Sequence, residues 1–124
     1  MHLFEYLLRD FINVEKKSHR DSLILIHDIL STNKRMTSRI LNSTGDKNKE
    51  PKTSKWWTGD VWKILLILKE YRKDIHFFTI DCAPTGLLCC SCLNPFSDIL
   101  EKNYFDIIKK YASIEFSLDK VSSI

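Results

Sequence analysis

Two apolar stretches, IHFFTI (75–80) and LLCCSC (87–92), are separated by only six residues, DCAPTG, and this spacing constrains the fold more than any other feature of the chain. A parallel return between neighbouring strands needs a crossover of about a dozen residues or more, whereas a short loop rich in breakers closes an antiparallel hairpin. The two stretches are therefore predicted to pair side by side in opposite directions. Upstream, LILI (23–26) is a continuous apolar run that stops at His27 and Asp28. Such a run reads as a short strand covered on both faces, with polar residues where open α/β sheets place their ligand sites.

Helical periodicity surrounds these strands. Leu3, Phe4, Leu7, Leu8 and Phe11 recur at the spacing of one helical face, which predicts a helix over 2–17 with no residue ahead of it to act as a cap. WWTGDVWKILLILKEYRKD predicts a second helix, with Thr58 as N-cap, Asp60 in the first turn, and Lys69, Arg72 and Lys73 towards the end. After LNPF, Ser97 is placed to cap a last helix whose stripe is Ile99, Leu100, Tyr104, Ile107, Ile108 and Tyr111. The order is helix, strand, helix, strand, strand, helix, without an internal repeat.

With 124 residues, 44% of them apolar, the chain can build a single core. No apolar run reaches the roughly 20 residues of a membrane-spanning helix, and Glu5, Arg9 and Asp10 interrupt what a signal peptide keeps apolar, so a cytoplasmic location is expected. The net charge of +3 is uneven: residues 31–55 carry +5 and the remainder −2. That basic segment contains NSTGDKNKEPKTSK and reads as a mobile loop. It is either a phosphate or nucleic-acid contact or a solvated loop, and the lack of interleaved aromatics favours the latter.

The four cysteines, Cys82, Cys89, Cys90 and Cys92, all fall within eleven residues, whereas a structural zinc site brings a second ligand pair from elsewhere in the chain. Cys89 and Cys90 are adjacent and point to opposite faces of a strand, so no metal ligand is assigned. No Ser-His-Asp order, H-E-x-x-H or P-loop sequence occurs. The chemically suggestive residues that remain each have a structural reading too. Asp28 is a strand-end carboxylate or an Asx turn; His27 and His2 are pocket or packing histidines; Asp60 and Lys63 are a charge pair one turn apart; Trp56, Trp57 and Trp62 stack on a ligand or pack.

Taken together, HLFEYLLRDF, LILIHDIL, WTGDVWKILLILKEYRKD, FTIDCAPTGL and LNP resemble the C-terminal half of bacterial class I S-adenosylmethionine-dependent methyltransferases over roughly residues 2–116, with 117–124 as a tail. The most specific pieces are the HD pair closing a strand and GDVWK opening a helix. The resemblance implies an α/β fold class: a partial Rossmann-like methyltransferase sheet of three strands, one reversed by a terminal hairpin and inserted between the other two, with helices on both faces. It implies methyl transfer to an oxygen or nitrogen of a small-molecule or glycan-linked acceptor. Asp28 and His27 are then the catalytic candidates on the acceptor side, and His2, Trp57, Asp60 and Lys63 the substrate-binding ones.

S-adenosylmethionine is the cofactor of that family, but Gly45, Gly59 and Gly86 do not form the Gly-rich strand-to-helix turn that would hold it. No cofactor-binding residue is assigned, and on this mapping the chain is a truncated half-domain, inactive alone, whose first helix belongs to the middle of a larger fold. Two alternatives stand beside it. One is a subunit of a split methyltransferase that pairs through an exposed strand edge at 23–26; the other is a small non-enzymatic binding protein that uses the basic loop.

Overall fold

The computed structural model of the chain describes residues 3–29, 59–82 and 86–115. His2, the basic segment 31–55, Trp56, Trp57, Thr58 and the tail 117–124 lie outside the described residues. The elements run α1 (Phe4–Lys16), β1 (Ile24–His27), α2 (Lys63–Tyr71), β2 (His76–Ile80), β3 (Leu87–Ser91), α3 (Ile99–Lys102) and α4 (Tyr104–Tyr111). Among the described residues, no helix is long and apolar enough to cross a membrane.

The hairpin forms as its loop length requires, with His76 opposite Ser91 and Ile80 opposite Leu87. β3 also pairs antiparallel with β1, Ile24 opposite Cys90 and His27 opposite Leu87, so the sheet order is β1-β3-β2. The last strand is thus inserted between the first two, in the order expected. β1 is an edge strand among the described residues.

The two faces of this sheet differ. Ile26, Leu88 and Cys90 join one core with Phe4, Leu8 and Phe11 of α1, Ile64, Leu65, Ile67 and Leu68 of α2, Leu100 of α3, and Ile107 and Tyr111 of α4. Each such side chain fully removed from water contributes about 1.5–3 kcal/mol before its ordering entropy is counted. On the other face Leu25 is 55% and Phe78 49% exposed. The expectation of a continuously covered run is corrected within β1, where Ile24–His27 alternates in burial, and the described helices pack against the face of Ile26. A four-residue strand is too short for a continuous apolar run to be separated from alternation by sequence, because Leu and Ile are tolerated on either side.

Three element ends also differ from expectation. α2 begins at Lys63, and the N–H groups of Lys63, Ile64 and Leu65 donate to the carbonyls of Asp60, Val61 and Trp62 at 3.2, 3.0 and 3.2 Å. These three-residue steps are a tight 3₁₀ lead-in to the helix. Asp98, not Ser97, occupies the cap position of α3, and the Ser97 hydroxyl is buried without a hydrogen-bond partner among the described residues. The last helix is broken into α3 and α4 at Asn103, whose side-chain amide donates to the Ile99 carbonyl at 2.8 Å and competes with the helical ladder. Ile99, assigned to the apolar stripe, is 40% exposed.

Candidate functional site

β1 ends on the two residues that the sequence singles out. His27 Nδ1 lies 2.8 Å from Asp28 Oδ2; the histidine side chain is 79% exposed and the aspartate 15%. Asp28 has φ 64°, the left-handed region that is costly for residues other than glycine and least so for Asn and Asp. This backbone turn ends the strand and sets the carboxylate at its carboxyl end. The arrangement offers an oriented carboxylate next to an imidazole that reaches solvent, which suits binding or holding a proton at a ligand hydroxyl or amine.

Asp60 and Lys63 are placed differently. Both side chains are 4% exposed, with Asp60 Oδ2 at 3.4 Å from Lys63 Nζ. Asp60 Oδ1 accepts the backbone N–H of Phe4 at 3.0 Å, and the cap position Leu3 supplies no side-chain bond of its own. The first turn of α1 leaves N–H groups without helical partners, and a carboxylate there meets both an open donor and the positive end of the helix dipole. The cap that α1 lacks in its own sequence is thus delivered by a residue 56 positions later. Lys63 Nζ donates to the Ala112 carbonyl at 3.5 Å and lies 4.8 Å from the centre of the Phe4 ring. The pair joins α1, α2 and the end of α4.

A second buried ionic group was not singled out from the sequence. Arg72, fully buried, donates from Nη1 to Glu15 Oε1 at 2.5 Å and from Nη2 to Glu15 Oε2 at 2.8 Å. Its Nε donates to Asp74 Oδ1 at 2.9 Å, and Glu15 Oε2 also accepts the N–H of Asn94 at 3.0 Å. Burial disfavours the Arg72 cation, but hydrogen bonds and charge from Glu15 and Asp74 outweigh it and hold its pKa above the ordinary value. The hydrogen bond from Arg72 in turn holds the Asp74 carboxyl below its ordinary range. A signal for this group was present: Glu15 continues the buried series Phe4, Leu8, Phe11 at helical spacing, and Arg72 follows Leu68 by four.

Among the described residues, the cysteines and the groove between the helices lie outside β1, which Asp28 ends. Cys89 and Cys90 face opposite sides of β3, while Cys82 follows β2 and Cys92 follows β3, at opposite ends of an antiparallel pair. Burial, with smaller contributions from Cys89 and Glu15, pushes the Cys90 thiol up to about 12. Among the described residues, no group of three or more His, Cys, Asp or Glu is placed to hold a metal ion. An open groove of about 250 Å³ lies between α1 and the last two helices, lined by Arg9, Ile12, Asn13, Glu101, Tyr104 and Phe105, none of them in the sheet. His2 and Trp57, expected at the acceptor pocket, lie outside the described residues.

Comparison of the chain with protein-family models, with curated proteins and with solved structures finds no match.

Proposed function

We propose that the chain supplies the acceptor-side half of a Rossmann-like, S-adenosylmethionine-dependent methyltransferase domain that acts on a small-molecule or glycan-linked hydroxyl or amine. The observation that carries this reading is the sheet order β1-β3-β2, with β3 antiparallel to both neighbours, combined with Asp28 turned to the carboxyl end of β1. In that position the Asp28 carboxylate orients the acceptor and takes its proton, and His27 at 2.8 Å holds the carboxylate and opens the pair to solvent. The described residues do not fit the cofactor itself. Gly59 and Gly86, with φ 59° and 80°, serve the turns before α2 and β3, and neither belongs to a Gly-rich strand-to-helix turn. On this reading the cofactor-binding segment is supplied from outside the described residues.

A second reading concerns the source of that segment, and the edge position of β1 favours it: a separate polypeptide pairs along residues 23–26 and completes the sheet. Calorimetric titration of the full chain with S-adenosylmethionine tests the half-domain reading. No binding tighter than about millimolar is expected, and micromolar binding contradicts it. Joined behind the cofactor-binding half of a class I methyltransferase, the chain is expected to support methyl transfer. In that fusion Asp28→Asn lowers turnover by about 100-fold at unchanged cofactor affinity, whereas equal turnover of the two fusions removes the role given to Asp28.

A further inference from the structure

The two outer strands of the sheet point the same way. β1 and β2 are each antiparallel to β3, so they run parallel to one another, and Asp28 and Asp81 leave the sheet at the same end. The last paired row there is His27, Leu87 and Ile80. One residue further on, Asp28 and Asp81 flank Gly86, which precedes β3. With strands about 4.8 Å apart, two strand spacings put the backbones of the two aspartates roughly 10 Å from each other. Gly86 is buried with φ 80° and donates its N–H to the Cys82 carbonyl at 2.8 Å, so the residue between the two aspartates presents no side chain. The neighbouring row tells where this end is open. Ile26 and Leu88 are buried, but Thr79, opposite Leu88, is exposed, so the described helices stop short of the end of β2. Asp81 follows on that strand. It is exposed, and its side chain makes no hydrogen bond or ion pair among the described residues, whereas Asp60 and Asp74 are each bonded to a cation.

We propose that Asp81 is a second acceptor-binding residue of the Asp28 site, and that the acceptor carries an ammonium group that Asp81 holds while the group to be methylated lies at Asp28. The inference rests on the acceptor-side reading above and narrows it to amine-bearing substrates, of the class of amino sugars and diamines. Carboxylates accept hydrogen bonds, so a ligand that satisfies both aspartates has to donate at both of its ends. A protonated amine does so with a charge that a hydroxyl lacks, which makes the bond shorter and stronger. The two aspartates divide the work by their surroundings. Asp28 stands beside His27 at 2.8 Å and serves the reacting group, whereas Asp81 has no such neighbour and acts as a fixed negative charge that sets which acceptor is taken.

Titration of the full chain with cadaverine and with its monoamine counterpart pentylamine, followed by backbone amide shifts at one fixed low salt concentration, tests the pairing without any cofactor. The diamine is expected to bind at least about 10-fold tighter than the monoamine, with the largest shifts at Asp28, Asp81 and Gly86. Asp81→Asn and Asp28→Asn, with unchanged circular dichroism, are each expected to reduce that advantage to about twofold or less. Equal affinity of the two amines for the unaltered chain, or an advantage that survives Asp81→Asn, overturns the proposal. The two readings fail separately. A fusion that transfers no methyl group removes the reaction assigned to Asp28 and leaves the diamine selectivity to stand, while loss of the selectivity in a chain whose fusion is active removes Asp81 alone.

Discussion

Asp60 and Asp28 each have a basic partner close by in sequence, and each precedes or ends a regular element, yet the fold uses them in opposite ways. Asp60 is 4% exposed with Lys63, closes the start of α1 and ties it to α2. Asp28 stands at the end of β1 in a conformation that the backbone disfavours, with a partner, His27, whose side chain is 79% exposed. Charges that hold a fold are enclosed and bonded to the backbone of other elements. On the proposed function, the backbone cost at Asp28 is accounted for by its role at the acceptor.

The comparison breaks if the interior charges prove dispensable. Arg72→Ala leaves Glu15, 3% exposed, without its cation, and the expected loss is about 3–5 kcal/mol by urea unfolding. Arg72→Met, paired with Glu15→Leu, is expected to recover most of it, since a well-packed apolar pair replaces a buried ion pair at little cost. Recovery separates the penalty of an orphaned carboxylate from any need for the ion pair itself. The next effect is that of Asp60→Asn, about 3 kcal/mol, because the amide leaves the buried Lys63 cation beside a neutral group and weakens the bond to the Phe4 N–H.

Acid sharpens the comparison from another side. Asp74 is held below 3.8 by its bond from Arg72, and Glu70 below 4.5 by bonds from Lys110 and Tyr111. A carboxyl whose pKa is lower in the folded chain stabilises the fold above its unfolded value, and this contribution disappears as pH falls through the folded value. Melting temperature is therefore expected to hold from neutral pH to about 4.5 and to drop below it, by a modest amount because both carboxylates are partly exposed. The alkaline side has the reverse sign: Cys90 and Tyr111, pushed up mainly by burial, favour the fold below 9.0 and 10.0 and lose that contribution as pH rises. A melting temperature that rose on acidification would contradict the placement of Asp74 and Glu70.

Much of the fold was legible for simple reasons. A six-residue loop leaves a hairpin no alternative to antiparallel pairing, and the helical faces of α1 and α2 are carried by residues whose burial needs no partner chemistry. What stayed hidden depends on distance in sequence. The cap on α1 comes from Asp60, and the partner of Glu15 from Arg72, pairs 56 and 57 residues apart that no local pattern joins. The alternation along β1 was hidden for another reason: Leu23 and Leu25 look the same in sequence as Ile24 and Ile26, and only the position of the described helices distinguishes them. Asp28 was legible as a strand-ending carboxylate, but its positive φ was not, because Asp enters that region only in context.

The account stands most directly on one pair of unfolding curves, Asp28→Asn against Asp60→Asn, measured in urea at neutral pH. Asparagine removes the charge from both and tolerates the left-handed backbone at residue 28. The expected result is a change within about 1 kcal/mol for Asp28→Asn and a loss of about 3 kcal/mol for Asp60→Asn. Equal losses at the two positions would make Asp28 another structural charge, and would contradict the claim that this residue is held for chemistry and not for the fold.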